Sequence, residues 1–147
     1  ALIRAKGGQP PMEERAGGVG VSIDVETVVV VAVNYRNGAV TTGVALDGAE
    51  SVVVGDSLVT TVDVHRRGNA AFLGRILIEA LDGGNRVVGT SDQVLAVYRE
   101  LKRRIAIPLD GGAMPQRVRI RIDTDRADLP PGGPLPAEPV VLEIPVG

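Results

Sequence analysis

The strongest alternation of apolar and polar positions lies near the beginning of the chain, in residues 19–35. Because successive side chains of an extended backbone point to opposite faces, this stretch predicts one long β-strand with an apolar face. Ser22, Asp24 and Glu26 make the first half of the other face polar, whereas the second half is apolar on both faces and is expected to be covered on both. The residues on the apolar face are Val19, Val21, Ile23, Val25, Val29, Val31 and Val33.

Shorter apolar segments follow from residue 39 onward, separated by Gly, Pro, Asn and Asp. Their regular spacing is typical of a β-sandwich, and no segment shows a helical period. The connection at residues 82–85, Asp-Gly-Gly-Asn, predicts a hairpin. Strands are predicted over residues 40–46, 51–54, 58–66, 75–81, 86–98, 101–109, 116–124 and 139–146.

A boundary between two parts of the chain is predicted at Arg36-Asn-Gly38, where Asn and Gly favour a turn. Residues 1–36 would hold a short first strand, a Gly- and Pro-containing loop and the long strand 19–35. A chain of 147 residues can form one good core, or one domain plus a piece of another. Residues 37–147 would form a full β-sandwich.

The composition supports an all-β protein. Hydrophobic residues make up 44% of the 147 residues but aromatic residues only 2%, so the core must consist mainly of Val, Ile and Leu, which favour strands. The net charge of −2 does not favour nucleic acid as a partner, and no apolar run is long enough for membrane insertion. Without cysteine, disulfides and thiolate metal sites are excluded.

Basic residues concentrate in the strands before the last one. Arg117, Arg119 and Arg121 alternate with apolar residues and are expected to form a row on the outer face of a sheet. Such a row suits either an anionic partner or, as we favour, a solvated face that resists edge pairing. It lacks the interleaved aromatic residues that single-stranded nucleic acid would require.

An aspartate cluster and a single histidine are further candidates for chemical sites. Asp123, Asp125 and Asp128 offer oxygen ligands for calcium, but their spacing lacks the features of an EF-hand loop, which favours a polar turn. His65 is the only histidine and is predicted to point outward from a strand. No nucleophile motif, phosphate loop or dinucleotide fingerprint occurs, so we predict neither an enzyme nor a cofactor.

Four segments, Val33–Arg36, Arg67–Gly74, Val94–Tyr98 and Arg103–Asp110, together resemble segments of the periplasmic chaperones of the chaperone–usher type, which assemble pili, and of their chaperone-like relatives. Val33-Asn-Tyr-Arg36 resembles the aromatic-Arg end of the long strand of their first domain. Arg67-Gly-Asn-Ala-Ala-Phe-Leu-Gly74 is similar to the S/T-G-N-x-x-x-x-G segment of their second domain. Val94–Tyr98 followed by Arg103–Asp110 looks like a pair of segments in chaperone-like members.

The resemblance implies two immunoglobulin-like domains, of which this chain carries the last strands of the first and all of the second. It implies a periplasmic location and a pilus or surface-fibre subunit as the partner. The long strand would then complete a subunit that lacks its own final strand. No Lys or Arg lies between Val19 and Asn34, so the family's anchoring lysine has no counterpart here. The donor side chains would be Val19, Val21, Ile23, Val25 and Thr27.

The residues by themselves agree with strand donation, because a strand with one apolar face is what β-augmentation uses. They also leave a second hypothesis open, in which a secreted immunoglobulin-like structural subunit assembles with a second copy of itself by strand exchange. Exposure of an apolar strand face to water is unfavourable in free energy, which favours burial against a fibre subunit or against a second copy of the chain. A carbohydrate-binding module is disfavoured by the absence of tryptophan.

Overall fold

The computed structural model describes residues 2–5, 27–30, 38–130 and 132–147, the first two ranges as backbone only. The chain divides into two compact units, Ala1–Asn37 and Gly38–Gly147. In the first unit, β1 (Leu2–Ala5) pairs antiparallel with β2 (Thr27–Val30). Leu2 lies opposite Val30, and Ala5 lies opposite Thr27.

The second unit consists of two antiparallel sheets. One sheet has the order β3-β4-β7 and the other the order β6-β5-β8-β9. The prediction of an all-β sandwich is confirmed, and the described residues contain no α-helix, only a single short 3-10 turn at Asp110–Gly112. The strands are β3 (Thr42–Val54), β4 (Ser57–Gly68), β5 (Phe72–Leu81), β6 (Val87–Val97), β7 (Glu100–Pro108), β8 (Arg117–Asp123) and β9 (Val140–Pro145).

The core lies between the facing sides of the two sheets. Alternate residues of the strands point inward, as the period of two requires, and Phe72 is the aromatic member of this cluster, fully buried. The buried hydroxyls of Ser51 and Thr60 form a hydrogen bond of 2.8 Å with each other. The buried cluster comprises Val44, Leu58, Val62, Val64, Phe72, Ile76, Ile78, Ala80, Val88, Leu95, Val97, Ile105, Ile107, Val118, Ile120 and Ile122.

The structure corrects the predicted strand list at β3, and it also starts β5 at Phe72 instead of residue 75. Residues 40–46 and 51–54 were expected to be separate strands, but β3 runs without a break from Thr42 to Val54. Its register with β4 shifts between Leu46 and Gly48, which leaves Asp47 as the extra residue of a β-bulge. A bulge reverses the parity of all later residues, so the alternation in the sequence appeared to stop there.

The link between β4 and β5 explains the glycines and the asparagine of the Gly68-Asn69-x4-Gly74 segment. Gly68 has φ +82°, and a Cβ there would lie 2.4 Å from the carbonyl oxygen of Thr41. The Asn69 side chain accepts a hydrogen bond from Thr41 N at 2.9 Å and donates one to the carbonyl of Ala39 at 3.0 Å. A Cβ on Gly74 would lie 2.1 Å from the carbonyl oxygen of Asp123. Gly68 and Asn69 therefore serve the passage from one sheet to the other, whereas Gly74 allows the close approach of β5 and β8 within one sheet.

Both sides of the sandwich carry contacts that join the two sheets. At one side, the backbone N–H of Gly147 donates to the carbonyl of Ser51 in β3 at 2.9 Å. At the other side, Arg103 of β7 donates to the carbonyl of Val94 at 2.9 Å and to Gln93 Oε1 at 2.7 Å, both in β6. These bonds satisfy backbone groups at edge strands, which would otherwise be open to pairing.

Candidate functional site

The predicted donor strand is only partly within the described residues. Val19, Val21, Ile23 and Val25 lie outside them, and Thr27 is the first residue of β2, opposite Ala5 of β1. In the described part of the chain, β2 has β1 as its single neighbour. Among the described strands, none pairs with the edge of β2 that faces away from β1, and an unpaired strand edge can accept another strand.

The arginine row on β8 is paired within the fold. Arg119 lies opposite Glu79 of β5 and Glu143 of β9, and its Nε is 2.7 Å from Glu143 Oε1. Arg117 also reaches Glu143, at 3.4 Å, and Arg121 Nε lies 2.8 Å from Asp123 Oδ2. These ion pairs, two of them across strands and one within β8, favour the interpretation of the row as a solvated face over that of an open anion surface.

The aspartates at and after the end of β8 also form ion pairs and hydrogen bonds with other residues of the fold. Asp123 is 7% exposed and accepts hydrogen bonds from Arg75 Nε at 3.0 Å and from Asp125 N at 3.1 Å. Asp125 pairs with Arg75 at 3.3 Å, and Asp128 pairs with Arg126. Within the described residues, no group of three or more acidic or histidine side chains is placed to hold a metal ion. The arrangement is that of a cross-linked polar turn.

The pKa of the Asp123 carboxyl is lower than its ordinary value of 3.8. Burial opposes its ionisation, but the hydrogen bonds from Arg121 and Arg75 and from the backbone N–H of Asp125 outweigh that effect. Because the folded-state pKa lies below that of the unfolded chain, the ionised carboxylate stabilises the fold above the unfolded-state value. This contribution is lost as the pH falls through the folded-state pKa.

Below about pH 4, we therefore expect the free energy of unfolding of Asp123→Asn to fall less with decreasing pH than that of the original protein. At neutral pH the variant is expected to be about 1–3 kcal/mol less stable, because two guanidinium groups lose a charged acceptor. Urea unfolding over a pH series measures both effects. Asp110→Asn makes the same charge change at an exposed side chain and serves as the control. An unchanged pH dependence in Asp123→Asn would contradict the assignment.

His65 lies on the outer face of the three-stranded sheet, as the sequence predicts. Its Nδ1 is hydrogen-bonded to the carboxylate of Asp47, the bulge residue. Its cross-strand neighbours are Ala45 of β3 and Glu100 of β7. Neither neighbour is a serine, threonine or cysteine, so Asp47, Ala45 and Glu100 do not form a hydrolytic triad with His65.

An apolar patch on the outer face of the same sheet was missed by the sequence reasoning. Val52 and Val54 of β3 are 48% and 53% exposed. Val59 of β4 lies between Val52 and Ala106 of β7 in the register. The Val-Val-Val run at 52–54 was the available signal, but the bulge at Asp47 concealed which of these residues point outward.

Comparison of the chain with protein-family models, with curated proteins and with solved structures finds no match. Among the described residues, no helix has the length and apolar character needed to cross a membrane. The function is accordingly inferred from the residues and geometry of this chain.

Proposed function

We propose that the chain is part of a non-catalytic, periplasmic chaperone-like protein that binds pilus or surface-fibre subunits by donating the strand 19–35. The observation that supports this proposal is the pairing of β2. Thr27–Val30 is held by β1 on one edge, and β1 is its single neighbour within the described residues. The alternating sequence continues directly upstream of Thr27 with Val25, Ile23 and Val21.

Strand donation follows from this pattern on physical grounds. The free edge of such a strand presents backbone N–H and C=O groups to a subunit, and alternate side chains fill pockets in it. Burial of a Val or Ile side chain contributes about 1.5–3 kcal/mol, so three of them supply a substantial part of the binding free energy before the costs of association. The residues proposed to make these contacts are Val19, Val21, Ile23, Val25 and Thr27.

The strand order of the second unit supports an immunoglobulin-like sandwich as part of the proposal. Its first, second and fifth strands share one sheet, and its third, sixth and seventh strands share the other. Constant-type immunoglobulin domains divide these six strands in the same way. The fourth strand, β6, pairs with the third strand here, whereas it pairs with the fifth in the constant-type arrangement.

The proposal predicts that Ile23→Asp abolishes co-purification of a co-expressed pilus subunit, because a charged side chain cannot enter an apolar pocket without a large desolvation cost. Val21→Asp and Val25→Asp are expected to act in the same direction. Ser22→Asp adds the same charge to the opposite face and is the matched control, which is expected to retain the subunit. Retention of the subunit by Ile23→Asp would refute strand donation by this face.

A second candidate is self-assembly of the chain through strand exchange, and the exposed Val52 and Val54 favour association between copies. Sedimentation of the isolated protein separates the two functions. A monomer over a wide concentration range supports the chaperone function, whereas a concentration-dependent dimer or filament supports self-assembly.

A further inference from the structure

We propose that Arg66 and Arg99 form a binding site for an oxyanion at one end of the sandwich. Arg66 lies near the end of β4, and Arg99 lies in the link that carries the chain from β6 to β7. The backbone N–H of Arg66 donates to the carbonyl oxygen of Arg99 at 2.6 Å. This bond continues the β4–β7 register by one position beyond the pair His65 and Glu100. The two arginines are therefore directly opposite each other.

Their side chains share one face. On β4, Val64 precedes Arg66 with the same parity and is 2% exposed, and on β7, Leu101 follows Arg99 with the same parity and packs against the core. Arg66 and Arg99 thus continue the inward-facing rows to the point where the apolar core ends. Directly opposed residues in an antiparallel pair have Cβ atoms about 4.5–5.5 Å apart, and like charges at that separation destabilise the pair.

No acidic side chain of the described residues compensates this apposition. The structure places no ion pair or side-chain hydrogen bond on Arg66 or Arg99, either with each other or with any other described residue. The nearest titratable neighbours in the register, His65 and Glu100, belong to the opposite parity, as does Arg67. Several other arginines of the fold contact carboxylates, namely Arg75, Arg117, Arg119, Arg121 and Arg126. Arg67 and Arg104 also have no carboxylate partner among the described residues, so it is the direct apposition of Arg66 and Arg99 that distinguishes this pair.

Two guanidinium groups at this spacing suit a carboxylate or a phosphate. Each guanidinium presents several N–H donors in a planar fork, and an oxyanion accepts from both forks while it removes their mutual repulsion. The shared chemistry is that of an oxyanion, whether free in solution or carried by a peptide.

The test is the melting temperature of the protein with inorganic phosphate or an acetylated tetraglutamate peptide, each compared with sodium chloride at equal ionic strength. For the original chain, we expect at least one of the two anions, at ten times its Kd, to raise the melting temperature by about 4 °C. Arg66→Gln and Arg99→Gln should each lose this increase. Arg117→Gln removes an arginine that already has a carboxylate partner and should retain it.

The size of the shift with each anion identifies its source. A larger effect of phosphate assigns the site to a free anion, and a larger effect of the peptide assigns it to an acidic segment. The proposal is overturned if neither anion exceeds sodium chloride, or if Arg66→Gln and Arg99→Gln respond as strongly as the original chain. The melting temperatures of the variants without added anion report whether they are folded. The test does not depend on strand donation, because it uses neither a subunit nor residues 19–35.

Discussion

Gly74→Ala is expected to lower the free energy of unfolding by about 3 kcal/mol or more. The added Cβ would lie 2.1 Å from the carbonyl oxygen of Asp123 and 2.6 Å from the ring of Phe72. The first obstacle is backbone of β8, the strand paired with β5, and the second is a fully buried ring. Relief therefore requires the two strands to separate or the core to repack. Urea denaturation monitored by circular dichroism measures the loss.

Gly43→Ala provides the matched control for this substitution. Gly43 also lies in a strand, β3, but a Cβ there would have an ordinary contact of 3.7 Å with Arg67 Cβ. Loss of backbone freedom in the unfolded chain favours the alanine variant, so its stability should be unchanged or higher by up to about 1 kcal/mol. Equal losses in Gly43→Ala and Gly74→Ala would contradict the close approach of β5 and β8.

Phe72→Ala is expected to cost about 3–5 kcal/mol, the usual range for truncation of a buried aromatic residue. Phe72 is 0% exposed and stands at the first position of β5, where it belongs to the cluster shared by both sheets. The surrounding Val, Ile and Leu side chains are short and mostly branched, so they have little freedom to fill the cavity. Chemical denaturation gives the change directly.

The control for Phe72→Ala is Tyr98→Ala, which removes an aromatic ring that is 60% exposed. Its effect should stay within about 0.5 kcal/mol, as for most surface substitutions. If Phe72→Ala were as mild as Tyr98→Ala, the sandwich core would not be centred where the structure places it.

Much of the sandwich was accessible from the sequence because alternation is a local property. The positions of β4, β6, β7, β8 and β9 follow from the period of two, and the predicted strand 101–109 corresponds to β7, Glu100–Pro108. β3 was divided wrongly because a bulge at Asp47 changes parity without leaving a clear signal in the sequence. The predicted strand began at residue 75, whereas β5 begins at Phe72 and includes Gly74. Glycine disfavours a strand locally, and the close approach of β8 explains its presence there.

The assignment of the donor residues depends on the sequence to a greater degree than the assignment of the sandwich strands. The apolar parity of Val19, Val21, Ile23 and Val25 is a property of the sequence alone, and these four residues lie outside the described part of the structure. The backbone pairing of Thr27–Val30 adds the information that this segment has a strand neighbour in Leu2–Ala5. Strand donation and the periplasmic location stay predictions.

The sequence by itself determined the class of this protein, since a β-branched interior and a period of two are encoded in neighbouring residues. Tertiary structure decided which charges have partners. Arg119 contacts Glu143, 24 positions away, whereas Arg66 lies opposite Arg99 and neither has an acidic partner among the described residues. Such pairings depend on which strands become neighbours in a sheet, and that is settled by long-range packing of the two sheets rather than by any local pattern along the chain.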